Sequence, residues 1–320
     1  MSAKGATPTL QACIDEYLEY LTIERQVSPF TIRNYKFYLL KFKTWLSKYY
    51  PDKDLANVTS KLLKTYRVYL AQTKDAKGQY LSPVTQGYYV IALRSMLRYL
   101  LRQDYEVVSP ERLELPKGKE YSLKFLDFAH VEAMIDKADV STIYGMRDRV
   151  IMEVLFSTGL RVSELVSLNK TTINLESREF GVVGKGRKVR VVFLSDRAAG
   201  WVEKYLRKRD DHYHPVFIRH SGAMPDISDP HASEKLRLTV RTVQRIIAKY
   251  GRLAHLPFEV TPHVMRHSFA TDLISHGAGL REVQEMLGHK NIATTQIYTH
   301  VTNPQLKSVH EKYHSTGEGA

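Results

Sequence analysis

Two Ser-Pro dipeptides constrain the first third of this chain more than any other feature. Ser28-Pro29 and Ser82-Pro83 each stand before a long amphipathic run. Serine followed by proline is a favoured helix start, because the hydroxyl accepts from an otherwise orphan amide and proline fits the first helical position. In FTIRNYKFYLLKFKTWLSKYY the inward residues are Ile32, Tyr35, Leu39, Phe42 and Leu46; in VTQGYYVIALRSMLRYLLRQDY they are Tyr89, Leu93, Met96, Leu97 and Leu100. Both sets recur with the 3.6-residue period of a helix. Leu10, Cys13, Ile14, Tyr17, Leu18 and Leu21 make a similar stripe, and Leu62, Leu63, Tyr66 and Leu70 predict a helix from Thr59 to Ala71. The first part of the chain is therefore expected to be helical.

Beyond Ser109–Lys124, a segment with two prolines and no sustained period, the pattern becomes mixed. DRVIMEVLFSTGLRVSELVSL reads as two helices around a Ser-Thr-Gly turn. FGVVGKGRKVRVVFL reads as a hairpin of two β-rich runs about Gly-Lys-Gly. WVEKYLRKR, VRTVQRIIAKYG, HSFATDLISHG and LREVQEML return to helical spacing, while residues 219–237 read as a polar surface loop. The expected division is a helical domain over 1–115, a linker over 116–124 and a second domain over 125–320, whose last residues form a polar tail.

Composition narrows the partner. The 47 Lys+Arg exceed the 34 Asp+Glu to give a formal charge of +13, and the excess is shared between both parts rather than held in one tail. That distribution suits a long polyanion whose counterions are released on binding. A single cysteine, Cys13, excludes a disulfide framework and a cysteine-rich zinc module. No run is apolar enough to span a membrane and the first residues lack a secretory core, so a cytoplasmic protein with no membrane partner is expected.

Arg94, Arg98 and Arg102 recur every four residues and so stack along one flank of their helix. Like charges at that spacing repel unless an anion neutralises them; a solvated face is the ordinary alternative, and a DNA backbone would serve. Arg33 and Lys36, off the apolar stripe of the second helix, are further candidate DNA contacts. Arg161 follows Thr158-Gly159-Leu160 after an apolar run, which suggests partial burial, and Glu164 one turn on can hold its guanidinium. A guanidinium so held can grip two phosphate oxygens.

Lys185, between two glycines, is either a plain turn lysine or a proton donor whose pKa nearby arginines depress. His263 and Arg266 share one helix opened by Thr261-Pro262. The H-x-x-R-H pattern has the histidine spacing of a zinc site without its glutamate, and its arginine would repel a metal ion; no metal is expected. His289 and Tyr298 follow in LGHKNIATTQIYTH. Tyr298 is either a packing residue or a nucleophile activated by cations. With neither an acidic pair for magnesium nor a glycine loop for a nucleotide, the set fits cofactor-free phosphoryl transfer to a tyrosine.

The segments STGLRVSEL, GKGRKVR, TPHVMRHSFATDL and LGHKNIATTQIYTH, in that order, closely resemble the tyrosine recombinase (phage integrase) family, and most of all its Xer-type site-specific recombinases. The resemblance implies a mainly α fold with a small antiparallel β-sheet: a helical, SAM-like core-binding domain and an α+β catalytic domain closing on DNA as a C-shaped clamp. It implies that Arg161, Lys185, His263, Arg266 and His289 surround the scissile phosphate, that Tyr298 attacks it, and that Glu164 supports the first arginine. It further implies a homotetramer on two DNA sites with paired half-sites, residues 303–313 being a candidate contact between protomers, with Leu306 and Val309 as anchors. Type IB topoisomerase-like relaxation and a catalytically silent DNA-binding regulator are the alternatives on the same fold.

Overall fold

The computed structural model describes residues 9–115, 124–184, 189–226 and 228–288. Contacts divide the chain into two compact units, Met1–Tyr121 and Ser122–Ala320. All of the expected linker except Lys124 lies outside the described residues.

The first unit is built from α1 (Leu10–Ile23), α2 (Pro29–Tyr49), α3 (Ser60–Gln72) and α4 (Pro83–Arg102), followed by a 3₁₀ turn at Pro110–Arg112. Thr9, Ser28, Thr59 and Ser82 cap the four helices through their hydroxyls, and proline opens α2 and α4 as their sequences dictate. Helix α4 packs against α1, α2 and α3, which explains its wide apolar face: Leu93, Met96, Leu97 and Leu100 are all at most 1% exposed. Tyr17, Leu39, Phe42 and Tyr66 fill the centre. Polar tips are satisfied at its margin, where Tyr99 and Tyr105 each donate to one oxygen of Glu16 and Tyr17 donates to Ser95.

The second unit contains α5 (Phe128–Ile135), α6 (Ile143–Thr158), α7 (Val162–Val166), β1 (Glu179–Val183), β2 (Val189–Phe193), α8 (Asp196–Lys208), α9 (Ala232–Leu236), α10 (Val240–Leu253), α11 (Pro262–Ser275) and α12 (Leu280–Leu287). Helix α6 packs against α8 and α11 as well as α5 and α10, so it is buried nearly all round: Val150, Ile151, Met152, Val154 and Leu155 are at most 1% exposed. Strands β1 and β2 pair antiparallel, with Phe180 opposite Val192 and Val182 opposite Arg190. Their alternate residues Phe180, Val182 and Val192 enter the core.

The polar stretch 219–237 is not wholly a surface loop. Its end forms α9, Leu236 is fully buried, and an isolated bridge joins Ile218 to Arg237. Ala232 and Leu236, four residues apart, supply the buried side of this single helical turn, too short a pattern to stand out among polar neighbours. Arg237 secures it by donating to the carbonyls of Val166 and Leu168 and to Asn169 Oδ1.

Candidate active site

Helix α6 ends at Gly159, which adopts the left-handed conformation at φ 58°. A side chain there would also collide with the Phe269 ring, so the turn demands glycine. The chain re-enters helix at α7 with Arg161 as its N-cap. Glu164 at the third helical position reaches back, accepting the Arg161 backbone N–H at 2.8 Å and Arg161 Nη1 at 2.9 Å. The Arg161 side chain remains one-third exposed, at 33%. A guanidinium is thus anchored from behind and open in front.

Arg266 comes from the second turn of α11, whose start is capped by Thr261 with Pro262 at its first position. It is only 3% exposed. Its Nη1 donates to the Gly159 carbonyl and its Nη2 to the Leu287 carbonyl, the latter at 2.6 Å. Arg161 Nη2 lies 3.4 Å from the Gly288 carbonyl, and Arg190 Nε donates to the Met286 carbonyl at 3.0 Å. Three guanidinia therefore meet three successive carbonyls at the end of α12. A helix C-terminus has unpaired carbonyls and the negative pole of the backbone dipole, which is why cations gather there.

His263 stands in the first turn of α11, its ring edge-on to His267 with 4.3 Å between centroids. Protein crowding around the ring, then the Arg266 and Arg161 charges, lower its pKa below the ordinary histidine value and favour the neutral ring. A neutral imidazole beside two arginines can accept a proton. No cluster of metal-binding type occurs among the described residues. Two local pairs distant from one another in sequence, Arg161 with Glu164 and His263 with Arg266, are thus brought together.

Burial alone would raise the Glu164 pKa, but the hydrogen bonds from Arg190 and Arg161 and the Arg190 charge outweigh it and bring the carboxyl down to about 2. Because the folded-state value lies below the unfolded one, this carboxylate stabilises the protein above pH 4.5, and the contribution vanishes as pH falls through 2. The shift corresponds to about 3 kcal/mol. Denaturant unfolding followed from pH 5 to pH 2 should show that loss, and Glu164→Gln should flatten the same interval.

Lys185, His289 and Tyr298 lie outside the described residues, as do residues 303–313 with Leu306 and Val309. In the first unit, Arg33, Lys36, Arg98 and Arg102 are exposed and Arg94 is half-buried. Arg98 has an acidic neighbour after all: Glu111 of the 3₁₀ turn, 3.4 Å away. Arg94 Nε is enclosed without a hydrogen-bond partner.

The site residue that the sequence reading passes over is Arg190. Its fork donates to both oxygens of Glu164, each at 2.8 Å, and its side chain is 10% exposed. The available signal was strand alternation, since Arg190 falls on the same side of β2 as the buried Val192.

Comparison with known proteins gives the family. The family described as "Phage integrase family" matches residues 124–304, and "Phage integrase, N-terminal SAM-like domain" matches 14–104. The class so defined is that of DNA strand-transferring enzymes. The chain belongs to the phage integrase family and is a tyrosine recombinase, an enzyme of site-specific DNA recombination. Tyrosine recombinase XerD of Pasteurella multocida is 35% identical over 308 residues, 96% of this chain and 99% of the relative. Its namesake in Lacticaseibacillus casei is 34% identical over 310 residues, 96% of this chain and 100% of the relative. Among solved structures, the Tn1549 transposon integrase in complex with transposon right end DNA superposes with a TM-score of 0.71 at 19% identity, covering 96% of this chain and 100% of that one. XerH site-specific recombinase bound to palindromic difH substrate gives 0.67 at 23%, covering 94% and 84%. At these identities the two structures speak for the fold.

Proposed function

We propose that this recombinase cleaves and rejoins double-stranded DNA through a 3′-phosphotyrosyl bond to Tyr298. The observation that carries the reading is the convergence of Arg161 and Arg266 on the Gly159 and Gly288 turns, with Glu164 behind one arginine and His263 beside both. In the transition state negative charge grows on the non-bridging phosphate oxygens, where two fixed guanidinia are worth most; one well-placed donor contributes roughly 3–4 kcal/mol. The Tyr298 oxygen attacks phosphorus and the 5′ oxygen leaves. Lys185 protonates that oxygen, His263 takes or holds the phenolic proton, and His289 adds a hydrogen bond to the phosphate. The phosphotyrosyl bond keeps the energy of the diester, so a 5′ hydroxyl of a second duplex can reseal the strand. Neither a metal ion nor a nucleotide takes part in this scheme.

In the same reading Arg33, Lys36, Arg94, Arg98 and Arg102 contact the duplex backbone, where phosphate contacts dominate affinity. Two sites with paired half-sites are held by a homotetramer, with residues 303–313 reaching the neighbouring protomer. The same reading takes the cytoplasm as the place of action; among the described residues no helix is long and apolar enough to cross a membrane.

Two cognate duplexes of different length and label test the reading. Hybrid products without added metal or nucleotide are expected. Relaxation of a supercoiled plasmid with no hybrids would mark a topoisomerase, and binding with neither would mark a silent regulator.

A further inference from the structure

We propose that Arg190 is a positioning residue for recombination: by saturating Glu164 it keeps the Arg161 guanidinium free to hold the scissile phosphate. The proposal rests on Arg161 being a phosphate ligand.

Glu164 is buried to 5% exposure and its two oxygens accept four hydrogen bonds. Oε1 takes Arg161 Nη1 and Arg190 Nη1; Oε2 takes the Arg161 backbone N–H and Arg190 Nη2. Arg161 therefore gives Glu164 one of its terminal nitrogens, while its other one faces Gly288 across a long 3.4 Å contact. The preferred partnership of an isolated arginine and carboxylate is different: two parallel bonds, fork to fork. Here Arg190 occupies that bidentate geometry instead.

Without Arg190, two carboxylate lone pairs would be left empty in a buried place, which is costly. The nearest cation able to fill them is Arg161. Its guanidinium would turn onto Glu164 and withdraw from the open side where an anion docks. Arg190 is itself locked from two directions, since its Nε holds the Met286 carbonyl and its position opposite Val182 puts it on the inward side of β2. One side chain thus ties the hairpin, α7 and the end of α12 together around the carboxylate.

The test uses the full-length protein on a nicked cognate duplex, with the scissile group either as the ordinary phosphodiester or as a methylphosphonate. The latter lacks the charge of one non-bridging oxygen and so depends less on an aimed guanidinium. Arg190→Gln should slow cleavage of the phosphodiester about 30-fold, the worth of one charge-assisted hydrogen bond, and this deficit should contract several-fold on the methylphosphonate. Arg190→Lys, which keeps the charge without the fork, should show a smaller deficit with the same contraction, and it carries the test should the glutamine variant not fold. Equal deficits on both substrates would mean general loosening of the site and would overturn the proposal. Arg161→Gln runs in parallel: contraction there with none for Arg190 defeats the positioning role alone, whereas no contraction for Arg161→Gln defeats the phosphate-ligand reading and the proposal with it.

Discussion

Tyr298→Phe is expected to bind cognate DNA as tightly as the parent while forming no covalent protein–DNA adduct on a nicked duplex. Removing the covalent nucleophile of an enzyme costs on the order of 10⁶ in rate, so the adduct should fall below detection in a denaturing gel. Affinity should hold, because a single phenolic oxygen adds no phosphate-neutralising charge. The chain has 20 tyrosines, and several are poor substitutes. Burial pushes Tyr17 and Tyr205 up to about 12, and it likewise raises Tyr66, Tyr99 and Tyr250. Two pKa units above the ordinary value leave about a hundredth of the phenolate at a given pH. An adduct persisting in Tyr298→Phe would assign the nucleophile to another tyrosine, to be located by mapping the peptide bonded to DNA.

Arg266→Gln should carry the second largest effect, and it should appear in two measurements. In the proposed mechanism Arg266 is one of two fixed cations on the phosphate, and its loss is expected to slow cleavage by about 10²–10³-fold. The same change removes donors from the carbonyls of Gly159 and Leu287 inside the protein. An unmet buried acceptor costs about 1–3 kcal/mol, so the catalytic unit should also unfold at lower denaturant concentration. Arg161→Gln separates the two effects, because Arg161 is one-third exposed, makes a single long contact to that helix end, and leaves Glu164 still held on both oxygens by Arg190: it should lose cleavage with a smaller loss of stability. Equal stability losses in both variants would show that the interior contacts of Arg266 matter less than their geometry implies.

Much of the fold is legible in the sequence. The Ser-Pro starts of α2 and α4, with Ser28 and Ser82 as caps, fall where the sequence puts them; Thr9 and Thr59, not singled out by the sequence reading, cap the other two helices. Thr261-Pro262 opens α11 in the same way. These are local devices: a cap needs only its own next three residues. The pairing of Arg161 with Glu164 is equally local, a contact across one helical turn. Residues 219–237 resisted for the opposite reason, since the Arg237 bonds to Val166 and Leu168, next to the buried Leu236, depend on a segment some seventy residues earlier.

The sequence by itself determined most of the element types and the family, and it named the candidate reacting groups, because helix starts, apolar periods and motif spacing are written in neighbouring residues. Only the tertiary structure decided how the cations are shared out. That Arg190, not Arg161, holds Glu164 by the fork, and that three arginines divide the carbonyls of Met286, Leu287 and Gly288 among them, follows from β2, α7, α11 and α12 meeting in space. A buried carboxylate and a helix end accept whichever donors packing delivers, and no local pattern ranks an arginine at 190 against one at 161 or 266.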